Sequence, residues 1–335
     1  MKTLIVGGDF GELPKNSSIV SKISDNFTEN ITINGGFLDE LPSQIDSELI
    51  IWMPNISNET KKQYPFKSVG NVLIVSKVMR EGYTKIDAVE RIFRMRGNAV
   101  IAIYKEDNFR FVLVDALGNV WYDGTDITQL CESIKEFYTF TKNAVRVKTI
   151  RDNDIVKPEV LSEVEDFINT NKKLSNYIQT SCGERFFGNL STRCSKLFPT
   201  LRNNLGIFVS PRNSNKDFIT SKEMIYCEFK DNNIYYVGNN KPSVDTPSQM
   251  AVYECCNKIN FMIHGHAFID GANETDEYFL CGDLRESLDI IDEIEINDKN
   301  FGAINLKNHG FLIYSDTLDN MKELINGLTF SYKRE

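Results

Sequence analysis

Three histidines occur in the 335-residue chain, and two of them, His264 and His266, stand one residue apart in the apolar run INFMIHGHAFID, residues 259 to 270. On a β-strand, residues i and i+2 point to the same face, so both imidazoles would serve one site, with Gly265 between them keeping the crossing uncrowded. The third, His309, lies in NLKNHGFLIY beside Gly310, at a turn between strand-like pieces from which a loop could bring it alongside the pair. Three neutral imidazoles leave an open coordination position on a divalent ion, the pattern of a catalytic metal site more than of a closed structural one. The alternative is that His264 and His266 are hydrogen-bonded strand residues and His309 a turn residue, and the short His-x-His spacing leaves both readings open.

The elements that would position these residues follow from periodicity. In the first half, strand-like TLIVGG, NITING, SELIIWMP, NVLIVSKV and NAVIAIY alternate with amphipathic NSSIVSKISDNF, polar NETKKQYPF and helical KIDAVERIFRMRG, whose Ile86, Val89, Ile92 and Phe93 recur at helical spacing. That alternation predicts an α/β fold with a doubly wound, Rossmann-like parallel sheet. A hairpin turning at Leu117-Gly118-Asn119 and a closing helix, ITQLCESIKEFYTFTKNA, follow. Polar KTIRDNDIVKPE, 148 to 159, reads as a linker with Pro158 in the first turn of the next helix, which divides the chain into domains 1–153 and 154–335. The second half reads as a mixed sheet covered by helices, among them TPSQMAVYECCNKI and LRESLDIIDEIE, with the strand NFMIHGHAF between them.

Composition narrows the function classes. A net charge of −9 argues against a nucleic-acid or anionic-membrane surface and leaves small anionic ligands open. No run approaches the ~18 consecutive apolar residues of a membrane helix. Met1-Lys2-Thr3 leads straight into LIVGG with no signal-peptide pattern, so a cytoplasmic protein is expected. Seven scattered cysteines without a Cys-x-x-Cys pair indicate neither a disulfide framework nor a cysteine zinc cluster, and most are expected to be reduced and buried.

Five motifs taken together, GNLSTR (188 to 193), FVSPRN (208 to 213), KPSVDTPSQMAVY (241 to 253), HGH (264 to 266) and NLKNHG (305 to 310), resemble the class II aldolase/adducin family in order, type and spacing. The resemblance covers about residues 155 to 330 and implies a three-layer α/β/α domain. It also implies a homotetramer and a divalent ion, zinc first among the options, held by His264, His266 and His309. The family's acidic residue falls at Asp245, a ligand or base by that resemblance and equally the cap of a helix beginning at Thr246. Asp245-Thr246-Pro247 is similar to the ribulose-5-phosphate 4-epimerase branch, whereas fuculose-phosphate aldolases carry glutamate there. Gln249 stands where the family often has a further histidine.

The implied reaction is metal-assisted C–C cleavage or re-formation in a small sugar phosphate through a metal-stabilised enediolate. The implied phosphate-binding residues are Gly188, Asn189, Ser191, Ser210, Asn213, Lys241 and Ser243, with Arg212 or Lys241 adding charge. Candidates for an acid/base group contributed by a neighbouring subunit are Asp276 and Tyr332. A dehydratase of the same family is a variant of this reading, and a non-catalytic, adducin-like interaction module is the competing class. In the first domain Gly7, Gly8 and Gly11 follow the first strand, where doubly wound folds receive an anion, but their spacing is not Gly-x-Gly-x-x-Gly. Nothing there identifies a nicotinamide or flavin.

Overall fold

A computed structural model of the chain describes residues 1–7, 17–33, 46–53, 71–104, 108–159, 162–178, 181–182, 185–193 and 206–332. Its contacts divide the chain into two compact units, Met1–Asn143 and Ala144–Glu335.

In the first unit the apolar runs form strands β1 (Thr3–Val6), β2 (Asn30–Ile33), β3 (Leu49–Trp52), β4 (Val72–Met79), β5 (Ala99–Tyr104), β6 (Arg110–Asp115) and β7 (Val120–Gly124). They make one sheet in the order β2-β1-β3-β4-β5-β6-β7. The first five strands are parallel, and the β6–β7 hairpin is antiparallel. Helices cover both faces, as near-continuous apolar parallel strands require. α1 (Ser17–Ser24) and α3 (Ile127–Asn143) pack on one face through Ile19, Val20, Ile23, Leu130, Ile134 and Phe137. α2 (Lys85–Met95) packs on the other through Ala88, Ile92 and Met95. Its buried stripe is therefore the 88/92/95 set, and Ile86 is exposed. Gly118 turns the hairpin with φ +82°. Gly7 is buried at the end of β1, while Gly8 and Gly11 lie outside the described residues.

The second unit is built on a nine-stranded sheet in the order β17-β18-β19-β15-β11-β12-β13-β14-β8. Its strands are β8 (Thr149–Arg151), β11 (Asn189–Arg193), β12 (Gly206–Val209), β13 (Ile225–Lys230), β14 (Asn233–Val237), β15 (Phe261–Gly265), β17 (Asn273–Glu274), β18 (Phe301–Leu306) and β19 (Gly310–Ser315). Two short ribbons stand apart from it, β9 (Ser181–Cys182) with β10 (Arg185–Phe186), and β16 (Phe268–Ile269) with β20 (Phe330–Ser331). Thr149–Arg151, within the stretch that reads as a linker, instead adds β8 as a parallel edge strand beside β14. Pro158 lies in the coil ahead of α4 (Ser162–Lys172), and not in its first turn.

Alternation along the central strands sorts the side chains into two cores. Leu190, Phe208, Ile263 and Ile313 meet α4, α5 (Ser175–Ile178) and α8 (Leu318–Gly327) on one face. Ile207, Val209, Met262, Leu312 and Tyr314 meet α6 (Thr246–Cys255) and α7 (Glu286–Asn297) on the other. The result is helix, sheet and helix in three layers. Among the described cysteines Cys131 and Cys227 are buried, while Cys255 is exposed, so burial is not general. No helix among the described residues is long and apolar enough to cross a membrane.

Candidate metal centre

His264 lies two residues beyond Met262 on β15 and therefore faces the α6/α7 layer. The N-cap of α6 is Asp245 and the first residue of α7 is Glu286, so that layer presents two carboxylates toward the strand. β15 ends at Gly265, and His266 sits in the bend just beyond it, its ring stacked on Phe187 at 5.2 Å between centroids. His309 closes the turn between β18 and β19. Gly265 and Gly310 make this crossing sterically feasible. A Cβ on Gly265 would lie 2.6 Å from the Phe311 ring, and Gly310, at φ +151°, presses against the Gly265 carbonyl.

The three imidazoles converge, with ring centroids 4.8 to 5.4 Å apart. One nitrogen from each lies within 4.8 Å of the other two. Their hydrogen bonds set which nitrogen is available. His264 Nδ1 stands 2.9 Å from the Phe311 carbonyl oxygen, which can only accept, so Nδ1 carries the proton and Nε2 a lone pair. That Nε2 is buried and has no hydrogen-bond partner. His309 Nδ1 donates to Glu286 Oε1 at 2.6 Å, leaving Nε2 toward Cys281 Sγ at 3.3 Å. Nδ1 bonded outward to a carbonyl or carboxylate, with Nε2 turned inward, is how second-shell partners orient histidine ligands.

Burial pushes the His264 imidazole down to about 4, with repulsion from His309 acting in the same direction. His264 is therefore neutral at pH 7, and its 3.9 Å approach to Asp245 Oδ2 is not an ion pair. Burial acts downward on His309 too, but the Glu286 carboxylate and Cys281 outweigh it and hold that ring well above its ordinary value.

Asp245 occupies the N-cap position of α6 without a side-chain capping bond. Its Oδ2 instead accepts from Asn189 Nδ2 at 3.2 Å and Ser243 Oγ at 3.3 Å, while Oδ1 is buried with no partner. Gln249 Nε2 donates to Asn189 Oδ1 and so fixes the amide that holds the carboxylate. A lone pair on His264 Nε2 and an unbonded oxygen on Asp245, both buried, each cost about 1–3 kcal/mol if left so. A divalent cation would satisfy bare donors of this kind, and the donors present fit such an ion: His264, His266 and His309, with Asp245 and Cys281 adjacent.

The remaining sequence-derived positions separate into distinct environments. Gly188, at φ +72°, packs where a Cβ would collide with the carbonyls of Ile178 and His264. Ser191 points into the interior between β11 and α6, its Oγ 3.1 Å from the Tyr253 hydroxyl. Ser210 Oγ accepts from Leu190 N. Asn213 takes the left-handed conformation, φ +60°, and its Oδ1 accepts from Phe186 N. A bridge between Pro211 and Pro242, with Arg212 N donating to the Lys241 carbonyl, brings the SPRN turn beside the KPSVD segment and ends near Ser243. Asp276 is exposed, and Tyr332 is 57% exposed, its hydroxyl donating to the Asn176 carbonyl. Neither belongs to the imidazole cluster.

Three residues near the site carry no sequence motif: Cys281, Glu286 and Lys216. Lys216, 1% exposed, is pushed down to about 8 by burial, and the Asp245 carboxylate acts against that push. Its signal in the sequence is absent, because NSNKDF reads as a solvated loop.

No curated protein sequence matches the chain. Among solved structures, YgbL from Escherichia coli, named for an aldolase, epimerase or decarboxylase assignment, shares 17% identity at a TM-score of 0.35, covering 49% of this chain and 82% of its own. An L-fuculose 1-phosphate aldolase shares 16% at a TM-score of 0.37, covering 52% and 84%. A sugar-phosphate aldolase from Thermotoga maritima shares 12% at 0.37, covering 49% and 90%. Residues 165–269, within the C-terminal unit, match the Class II Aldolase and Adducin N-terminal domain, the family that the motifs of this unit resemble.

Proposed function

We propose that the C-terminal unit is a metal-dependent lyase or 4-epimerase that breaks, or breaks and re-forms, a C–C bond in a small sugar phosphate. The observation that carries this reading is the buried His264 Nε2 lone pair facing Asp245, whose Oδ1 is also unpartnered. An interaction module gains nothing from that arrangement, whereas a metal site requires it.

His264, His266 and His309 would hold the ion, zinc for a nitrogen-rich donor set. A divalent ion there supplies the electrophilic charge that C–C cleavage beside a carbonyl demands. The chain's own residues do the rest. Asp245, its Oδ2 fixed by Asn189 and Ser243, presents Oδ1 to take the proton of the substrate hydroxyl. Phosphate recognition falls to the turn at Arg212 and Asn213 and to exposed Lys241, because the side chains of Asn189 and Ser191 are engaged internally. Asp276 and Tyr332, exposed in this chain, would serve the site of a neighbouring subunit in a homotetramer, and the protein would work in the cytoplasm on a soluble metabolite.

The N-terminal unit is Rossmann-like in this reading. Its parallel strand order β2-β1-β3-β4-β5, with helices on both faces, supports that assignment. The two domains of this reading, 1–153 and 154–335, differ from the compact units in that the units divide after Asn143, ahead of β8.

The test is turnover of pentulose and deoxyhexulose phosphates by metal-loaded protein, read as aldehyde release for a lyase and as an interconverted epimer by NMR. Aldehyde or epimer formed by the parent and not by His264→Ala is the expected result. Metal-loaded protein that converts none of these substrates would contradict the reading.

A further inference from the structure

We propose that Cys281 is a sulfur donor to the same ion, so that the resting centre combines three imidazoles with one thiolate and takes substrate by expanding to a fifth position. The inference rests on the reading above that the imidazoles hold a divalent cation. Cys281 Sγ lies 3.3 Å from His309 Nε2, the nitrogen that Glu286 leaves facing inward. Two donors sharing one tetrahedral zinc ion stand about 3.5 Å apart, given Zn–S of about 2.3 Å and Zn–N of about 2.0–2.1 Å. The same sulfur falls within 4.8 Å of both a His309 nitrogen and an Asp245 oxygen, a trio that meets the imidazole trio at His309.

The sulfur is held in place by its backbone. Arg146 donates to the Cys281 carbonyl, and Asp283 Oδ1 accepts from Val145 N at 3.1 Å. Gly282, at φ +73°, packs so tightly on the Val244 carbonyl that a Cβ would collide with it. Cys281 is thereby tied to the segment that carries Asp245. A second observation points to a ligand independently: His264 Nε2 and Asp245 Oδ1, on residues 2% and 6% exposed, have no partner.

The Cys281, His309, Glu286 sequence of contacts also has the form of a nucleophilic triad. That alternative leaves the buried Asp245 oxygen and the His264 nitrogen with nothing to do, and a shared cation accounts for all of them. On coordination the S–H bond breaks, its proton leaves to solvent and a sulfur lone pair goes to the ion, with no change of oxidation state. A thiolate donor favours zinc, cobalt and cadmium over magnesium and manganese.

Cobalt(II) titration of metal-free protein tests this directly. The expected spectrum has visible d–d bands and a near-ultraviolet thiolate-to-cobalt charge-transfer band, and Cys281→Ser keeps the first and loses the second. Visible bands without the charge-transfer band in the parent would overturn the thiolate while leaving the three-histidine site standing. Absence of visible bands would overturn both. The parent spectrum decides without reliance on a variant that folds. Iodoacetamide labelling of Cys281, read by peptide mass spectrometry, adds the triad test: protection by zinc supports the ligand, and an unchanged rate with zinc bound contradicts it.

Discussion

Asp115 in the first unit and Asp245 in the second are both buried aspartates, at 0% and 6% exposure, yet their surroundings differ in kind. Asp115 accepts from the backbone N–H of Leu117 and Asn119, from Asn119 Nδ2 and from the Trp121 indole, so both oxygens are satisfied by the hairpin they brace. Asp245 accepts at Oδ2, which lies 3.9 Å from the bare His264 Nε2, and leaves Oδ1 buried and bare. A buried carboxylate whose acceptors are filled is a structural part. One that is half filled, inside a cluster of imidazoles, is held ready for something that binds.

Substitutions can break this contrast at either end. The largest effect belongs to the double variant His264→Ala with His266→Ala, which should lower metal affinity by more than about 100-fold, beyond what removal of an outer-shell partner costs. Equilibrium dialysis followed by elemental analysis reads that loss. Next, Asp115→Ala strands several donors and should lower the unfolding free energy by about 3 kcal/mol in urea titration, with metal content unchanged. Glu286→Gln weakens the orientation of His309 and should reduce metal affinity by about 10–100-fold, measured by competition with a chromophoric chelator. Smallest in stability is Asp245→Asn, expected within about 1 kcal/mol of the parent because its bare oxygen has no bond to lose. Its activity on any accepted substrate should nonetheless fall by about 100-fold or more, as the loss of a general base does. An Asp245→Asn protein as destabilised as Asp115→Ala would erase the distinction between the two residues.

Much of the fold is legible in the sequence because its pattern is periodic. The apolar runs of the first unit and the alternating strands of the second carry their own spacing, and Gly118 and Asn213 occupy the left-handed turn positions their neighbours demand. The histidines are legible as a group because their number is small and two share one strand segment. Their surroundings are not. Cys281 and Glu286 reach His309 from 28 and 23 residues away, across a fold that brings α7 under the β18–β19 turn. Lys216 is buried from a loop whose composition signals solvent. Ser191 shares a motif with Asn189, but one strand repeat carries it deeper along the same face, to Tyr253. The stretch at 148 to 159 is polar enough to read as a linker, because an edge strand needs fewer apolar residues than a central one.

The three imidazoles of His264, His266 and His309 are proposed to hold one divalent ion. Elemental analysis of protein purified without a histidine tag, beside the His264→Ala/His266→Ala variant, tests it most directly. Near-stoichiometric zinc, manganese, cobalt or iron in the parent and its loss in the variant is the predicted result. A parent that stays free of metal after incubation with these ions would contradict the account and leave the histidines as packing residues of a binding module.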